Sequence, residues 1–217
     1  MRDDRHPVAG ISDRLPEIPP GAFLKEDGGD DADFYAPARL VTHIDEAATR
    51  ALTAYYRAML PAGGVLLDLM SSWVSHLPPE VAFAEVIGHG MNAEELRANP
   101  RLSRSFVQNL NRTPILPLEV GSCDAALCCV GVQYLQRPLE VFAEICRALR
   151  PGAPFIVSFS NRCFPTKAVA IWRPLDARGQ AALVRLYLER ASFRDVNAEV
   201  LRDGSESDPL TAITGRR

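Results

Sequence analysis

A formal net charge of −3, from 24 Lys and Arg against 27 Asp and Glu over 217 residues, gives this chain no basic excess with which to hold nucleic acid or anionic lipid. The length suits one α/β domain with a proper core, and a small molecule is the default partner. Its five cysteines, Cys123, Cys128, Cys129, Cys146 and Cys163, are odd in number and lack CxxC spacing, which argues against a disulfide framework or a zinc site; no metal is expected.

The opening Met1-Arg2-Asp3-Asp4-Arg5-His6-Pro7 has no apolar stretch of signal-peptide length, and no later run is long enough to span a bilayer. A soluble, cytoplasmic protein without membrane contact is expected. Residues 1–33 carry Pro7, Pro16, Pro19, Pro20, Gly28, Gly29 and the acidic cluster Asp27, Asp30, Asp31 and Asp33, the composition of a mobile or loosely docked arm. Residues 34–217 read as a single domain, its first part (34–62) a helical cover. There Ile44, Ala48, Ala51 or Leu52, Tyr55 and Met59 recur at helical spacing, Thr42 is a possible N-cap, and Pro61-Ala62-Gly63-Gly64 stops the helix.

A first strand, Val65–Leu69, carries an acidic residue, Asp68, next to its end and opens into the loop Met70-Ser71-Ser72-Trp73-Val74-Ser75-His76. The next apolar run, Val81–Gly88, predicts a second strand leaving through Gly88-His89-Gly90-Met91, and Asn92 then caps a short helix with Glu95 as its reciprocal partner. Ser105–Leu110 is a weaker strand, followed by Asn111-Arg112-Thr113; Cys123–Val130 is a strand buried on both faces. A helix from Pro138 to Leu149 ends at Arg150-Pro151-Gly152, and Pro154–Ser160 forms the next strand. Asp176 caps a helix to about Ala191, and Phe193–Leu201 with Pro209–Thr214 make a closing antiparallel hairpin. The alternation implies an α/β Rossmann-like, doubly wound and mostly parallel sheet with helices on both faces, whose ligand cleft lies at the carboxyl ends of its strands.

The spacing of strand, loop and strand, the phrase Leu149-Arg150-Pro151-Gly152 before a strand, and the helix–hairpin finish resemble class I S-adenosylmethionine-dependent methyltransferases of the small-molecule, type 11 kind, over residues 40–217. The Ser-Ser-Trp-Val-Ser-His loop, Gly88–Asn92 and Ser160–Lys167 further resemble a divergent subgroup found in photosynthetic organisms and bacteria, which brings no substrate with it. The resemblance implies a seven-stranded sheet, S-adenosyl-L-methionine as cofactor and S-adenosyl-L-homocysteine as product. It places the cofactor among Asp68, Met70, Ser71, Ser72, His89, Gly90, Met91, Asn92, Leu110, Asn111 and Val130. Acceptor contacts are expected from Gln133, Tyr134, Asn161, Arg162 and Lys167, with His43, Tyr134 and Cys163 as catalytic candidates.

Three motifs depart from the family pattern. Met70, Ser72 and Val74 stand where the family has glycines, Gly90 where a carboxylate usually meets the ribose, and Leu110-Asn111 where an acid meets the adenine amino group. The departures leave open a catalytically silent Rossmann-like binding or regulatory protein. A thiol enzyme centred on Cys163, whose pKa nearby Arg162 and Lys167 would depress, is a third possibility. No GxGxxG follows a strand, which disfavours a nicotinamide dehydrogenase. Plainer roles stand beside these: Asp68 accepting backbone N–H groups, Trp73 as packing, Cys128 and Cys129 as small core residues, and Cys163 as a buried thiol. Oligomeric state is not legible.

Overall fold

The computed structural model describes residues 15–19 and 21–217; residues 1–14, part of the expected arm, and Pro20 lie outside them. A pleated strand turns successive side chains to opposite faces, and the apolar runs divide on that rule. In β1 (Val65–Leu69), Leu66 faces one layer while Leu67 and Leu69 face the other. In β4 (Ala125–Cys129), Ala125 and Leu127 join the layer of Leu66, and Ala126 and Cys128 join that of Leu67. Strands buried on both faces need helices on both, and the chain supplies them.

With β2 (Glu85–Gly90), β3 (Arg104–Val107), β5 (Pro154–Phe159), β6 (Arg194–Arg202) and β7 (Leu210–Arg216), the sheet has seven strands in the order β3-β2-β1-β4-β5-β7-β6. Pairing is parallel from β3 to β5, and β7 runs antiparallel to β5 and β6. The order reverses between β1 and β4, which opens a crevice at their carboxyl ends. The helices are α1 (Asp31–Tyr35), α2 (Glu46–Met59), α3 (Ala93–Ala98), α4 (Pro138–Ala148) and α5 (Ala177–Arg190). Helix α2 lays Ala48, Leu52 and Tyr56 against the Leu66 layer; α4 and α5 lay Phe142, Ile145, Val184 and Leu188 against the other. Each such large side chain is worth roughly 1.5–3 kcal/mol of burial.

Several boundaries differ from the sequence expectation for local reasons. Helix α2 is capped by Asp45, not Thr42: the Asp45 carboxylate accepts the Ala48 N–H at 2.8 Å. The second strand starts at Glu85 and not Val81, because Gly63 and Gly64 hydrogen-bond to Ala82 and Ala84 and hold 81–84 as a loop. Asn92 does cap α3, but Glu95 does not reach back to it; its carboxylate goes elsewhere.

The segment before α1 lies against the domain over its described length. Leu15 is fully buried, the Ala170 and Ile171 N–H groups donate to the Leu24 and Ala22 carbonyls at 2.8 Å, and the Asp27 N–H donates to Thr166 at 2.9 Å. This pairing carries α1 across the carboxyl ends of the strands as a roof.

Candidate active site

The crevice at the ends of β1, β2 and β4 is a cleft of about 1060 Å³ when the open solvent at its mouth is counted. Every residue assigned above to the cofactor lies in its wall, from Asp68 and Met70 through Gly90 and Asn111 to Val130. Asp31, Tyr35 and His43 close it from the roof side. Met70, His76 and Val130 have φ of 55°, 53° and 45°, left-handed values that residues with a Cβ rarely adopt, and all three line the cleft. Strain of this kind gathers at functional sites.

Asp68 is buried at the end of β1, where Ser71 Oγ donates to its Oδ2 at 2.7 Å. Burial lifts its pKa to about 6 against the pull of the Ser75 and Ser71 hydroxyls. Glu95, from α3, is the carboxylate that sequence reasoning missed. Its Oε1 accepts the Arg39 N–H at 2.7 Å and its Oε2 the Ser72 hydroxyl at 2.6 Å, so it joins roof, β1 loop and α3 within the cleft wall. Three residues after Asn92 it fits a local capping pattern, which hides it in the sequence.

Other residues assigned to the cofactor are already engaged by the protein. His89 Nδ1 accepts the Met70 N–H at 3.1 Å, which leaves Nε2 to donate to the Gln108 carbonyl at 2.9 Å. Burial holds the pKa of this imidazole down at about 4, so it is a neutral staple between the β1 loop and β3. Asn92 caps α3 and donates to the Tyr35 and Ala36 carbonyls. Asn111 accepts from Gln136 N–H and donates to Asp31 and the Tyr134 carbonyl, so its oxygen already has a partner. At Gly90 an added Cβ would lie 2.6 Å from the Ser71 carbonyl, and at Gly131 2.9 Å from Met70 Cβ. Both glycines therefore admit the chain's own atoms.

A second chamber adjoins the first and shares His43, Val130, Tyr134 and Phe164 with it; Asp45, Arg162, Cys163 and Asp208 complete its polar wall. Of the expected acceptor contacts, Tyr134 and Arg162 are here, and Gln133, Asn161 and Lys167 line neither chamber. Gln133 is buried and donates to the Val130 carbonyl. Asn161 is exposed and accepts from Ser160. Lys167, only 1% exposed, lies in an ion cluster under the roof, 3.0 Å from Asp27 and 3.5 Å from Asp31, whose other oxygen takes Lys25 at 2.7 Å.

His43 lies on the wall between the chambers, and burial lowers its pKa; His76 falls to about 4 for the same reason, with Nδ1 buried and without a partner. Tyr134 Oη accepts the Phe164 N–H at 2.8 Å, and burial raises the phenol to about 12. Cys163 is not an activated thiol: burial raises its pKa, Lys167 is turned to Asp27 and Asp31, and Arg162 to Asp208. Trp73 is half-exposed and donates from Nε1 to the Val41 carbonyl, tying the β1 loop to the segment after α1. Among the described residues no group of three or more His, Cys, Asp or Glu is placed to hold a metal ion, and no helix is long and apolar enough to cross a membrane.

This fold is the Rossmann-like fold of S-adenosylmethionine-dependent methyltransferases, and residues 71–157 match the methyltransferase domain family. The chain is similar in structure to an S-adenosylmethionine-dependent methyltransferase from Mesorhizobium loti (TM-score 0.55, 17% identity, 77% of this chain and 98% of that one). It is also similar to one from Aquifex aeolicus (0.56, 16%, 78% and 90%). A third is geranyl diphosphate C-methyltransferase from Streptomyces coelicolor A3(2), solved with S-adenosyl-L-homocysteine (0.57, 15%, 86% and 96%). The sequence comparison with curated proteins gives no match.

Proposed function

We propose that this chain is an S-adenosylmethionine-dependent methyltransferase acting on a small molecule, with the cofactor held at the ends of β1, β2 and β4. The observation that carries this reading is the charge of the cleft wall. It presents Asp68 and Glu95, together with Asp31 already balanced by Lys25 and Lys167, and no Lys or Arg side chain lines it. Such a wall suits a ligand bearing a sulfonium and an ammonium, and the unpartnered His76 Nδ1 offers a further polar contact. When bound, S-adenosylmethionine supplies an electrophilic methyl group for in-line displacement.

The residues have separable roles in this proposal. Asp68 provides the buried negative charge, Glu95 takes the place of the missing strand-end carboxylate toward the ribose hydroxyls, and Leu110 and Leu135 offer apolar surface to the adenine. The roof excludes water, and displacement at carbon gains chiefly from such positioning. His43, neutral near pH 7, is placed to receive a proton from an acceptor in the second chamber. Calorimetric titration with S-adenosylmethionine and S-adenosylhomocysteine tests the proposal. Saturable heat that weakens at least tenfold in Asp68→Ala is expected; no heat at millimolar ligand refutes it and leaves a silent binding protein.

A further inference from the structure

The two chambers share four lining residues, His43, Val130, Tyr134 and Phe164, so a molecule in the second lies beside whatever occupies the first. The charges of the second chamber do not cancel. Asp45 and Asp208 both lie in its wall, and Arg162 is its single Lys or Arg. Asp45 N–H donates to Asp208 Oδ2 at 3.0 Å and Asp208 N–H to Asp45 Oδ2 at 2.6 Å, a reciprocal clasp through neutral amides. Asp45 Oδ1 accepts from the Ala48 N–H, and Asp208 Oδ1 from Arg162 Nε at 2.9 Å. These backbone bonds hold the Asp45 pKa down without neutralising its charge. Arg202, a further cation near Asp45, gives its Nε to Ser207 and stands outside the chamber wall. Within the wall itself two carboxylates stand against one guanidinium.

The same chamber is also lined by aromatic rings. The Tyr134 and Phe164 rings lie 6.0 Å apart at 31°, and His43 meets the Phe164 ring edge-on at 5.9 Å. The same cluster already holds a cation of the chain itself: the Arg39 guanidinium sits 5.6 Å from the Phe164 centroid and 4.6 Å from that of Phe34. Ring faces carry negative potential, so rings and carboxylates act in one direction. An anion entering here meets two carboxylates, and the one Lys or Arg of the chamber wall is engaged with Asp208.

We propose that the second chamber is the acceptor site and that it takes an organic amine, bound as an ammonium ion with an apolar body. For the transfer step, though not for binding, this rests on the methyltransferase reading above. The His43 imidazole takes one N–H proton from the ammonium, and the freed nitrogen lone pair forms the N–C bond as the methyl C–S bond breaks. The electron pair of that bond stays on sulfur, and the nitrogen leaves as a methylammonium bearing the charge the sulfonium lost.

Three probes of one shape test the assignment: benzylamine, benzyl alcohol and benzoate, each titrated calorimetrically into the full chain saturated with S-adenosylhomocysteine. Benzylamine is expected to bind roughly tenfold more tightly than the alcohol, and benzoate to give no heat. Asp208→Asn is expected to weaken benzylamine by about tenfold and to leave S-adenosylhomocysteine affinity within about twofold. Equal binding of amine and alcohol, preference for benzoate, or no amine binding to a protein that holds S-adenosylhomocysteine overturns the proposal. If the chain binds no S-adenosylhomocysteine, the probes are titrated into the free chain. A preference for benzylamine there upholds the amine chamber and refutes the methyltransferase reading alone; no such preference overturns both. Because Asp208 also clasps Asp45, the wild-type probe comparison decides the matter should the variant fail to fold.

Discussion

Replacing Asp68 by Asn isolates the cost of the charge at the end of β1. Burial moves this carboxyl from 3.8 to about 6, which corresponds to about 3 kcal/mol of stability withheld from the folded protein once the group ionises. Since the folded pKa lies above the unfolded one, the folded state keeps a proton between these values that the unfolded state has lost. The contribution therefore declines as pH rises across that window and stays low above it. Asn cannot ionise, and its carbonyl can still accept from Ser71, 2.7 Å from the native oxygen. Asp68→Asn is expected to match wild type near pH 4 and to exceed it by up to about 3 kcal/mol at pH 8. Urea unfolding followed by the fluorescence of Trp73 and Trp172 at several pH values measures the difference. His76 and His89, with pKa values depressed to about 4, act with the opposite sign and cancel between the two proteins. A difference that does not change with pH, or a variant less stable at pH 8, refutes the reasoning. At that pH the same variant should bind S-adenosylmethionine more weakly, which separates stability from function.

Glu95→Gln keeps one acceptor but turns an NH₂ toward either Ser72 or the Arg39 amide; a loss of about 1–3 kcal/mol in denaturant unfolding is expected, with weaker cofactor binding by calorimetry. His89→Ala strands the Met70 N–H and the Gln108 carbonyl and should cost about 2–4 kcal/mol. Because the folded His89 pKa lies below the unfolded one, its share of stability is lost as pH falls from 6.5 toward 4, and the variant's acid limb should be flatter by about 3 kcal/mol. Asp31→Ala leaves Lys25 and Lys167 buried with Asp27 as the remaining partner, a change worth about 3–5 kcal/mol. Limited proteolysis should then cut between residues 22 and 41 at a protease dose that spares wild type.

What could be read from the sequence was whatever short-range spacing encodes. The runs at 65–69, 125–129 and 154–159 declare buried parallel strands because both faces of each are apolar, and Asp68 is conspicuous as an acid closing such a run. Glu95 was not legible, because three residues after Asn92 it satisfies a local capping pattern, whereas its actual partners are Arg39 and Ser72, 56 and 23 positions away. Lys167 followed a strand end and was assigned to the acceptor; its counter-ions Asp27 and Asp31 belong to a Pro- and Gly-rich stretch whose composition gives no sign of burial. Likewise Asn161 occupies the expected loop, but its exposed side chain lines neither chamber.

Met70 adopts a backbone angle of 55°, on the side of the map where glycine is at ease, although it carries a long side chain. His89 grips its N–H from the neighbouring strand, and Ser71 N–H binds the His89 carbonyl at 2.6 Å. The bend is thus written into β2 as much as into the loop that makes it. This chain keeps the curve without a glycine because the adjacent strand holds it from outside.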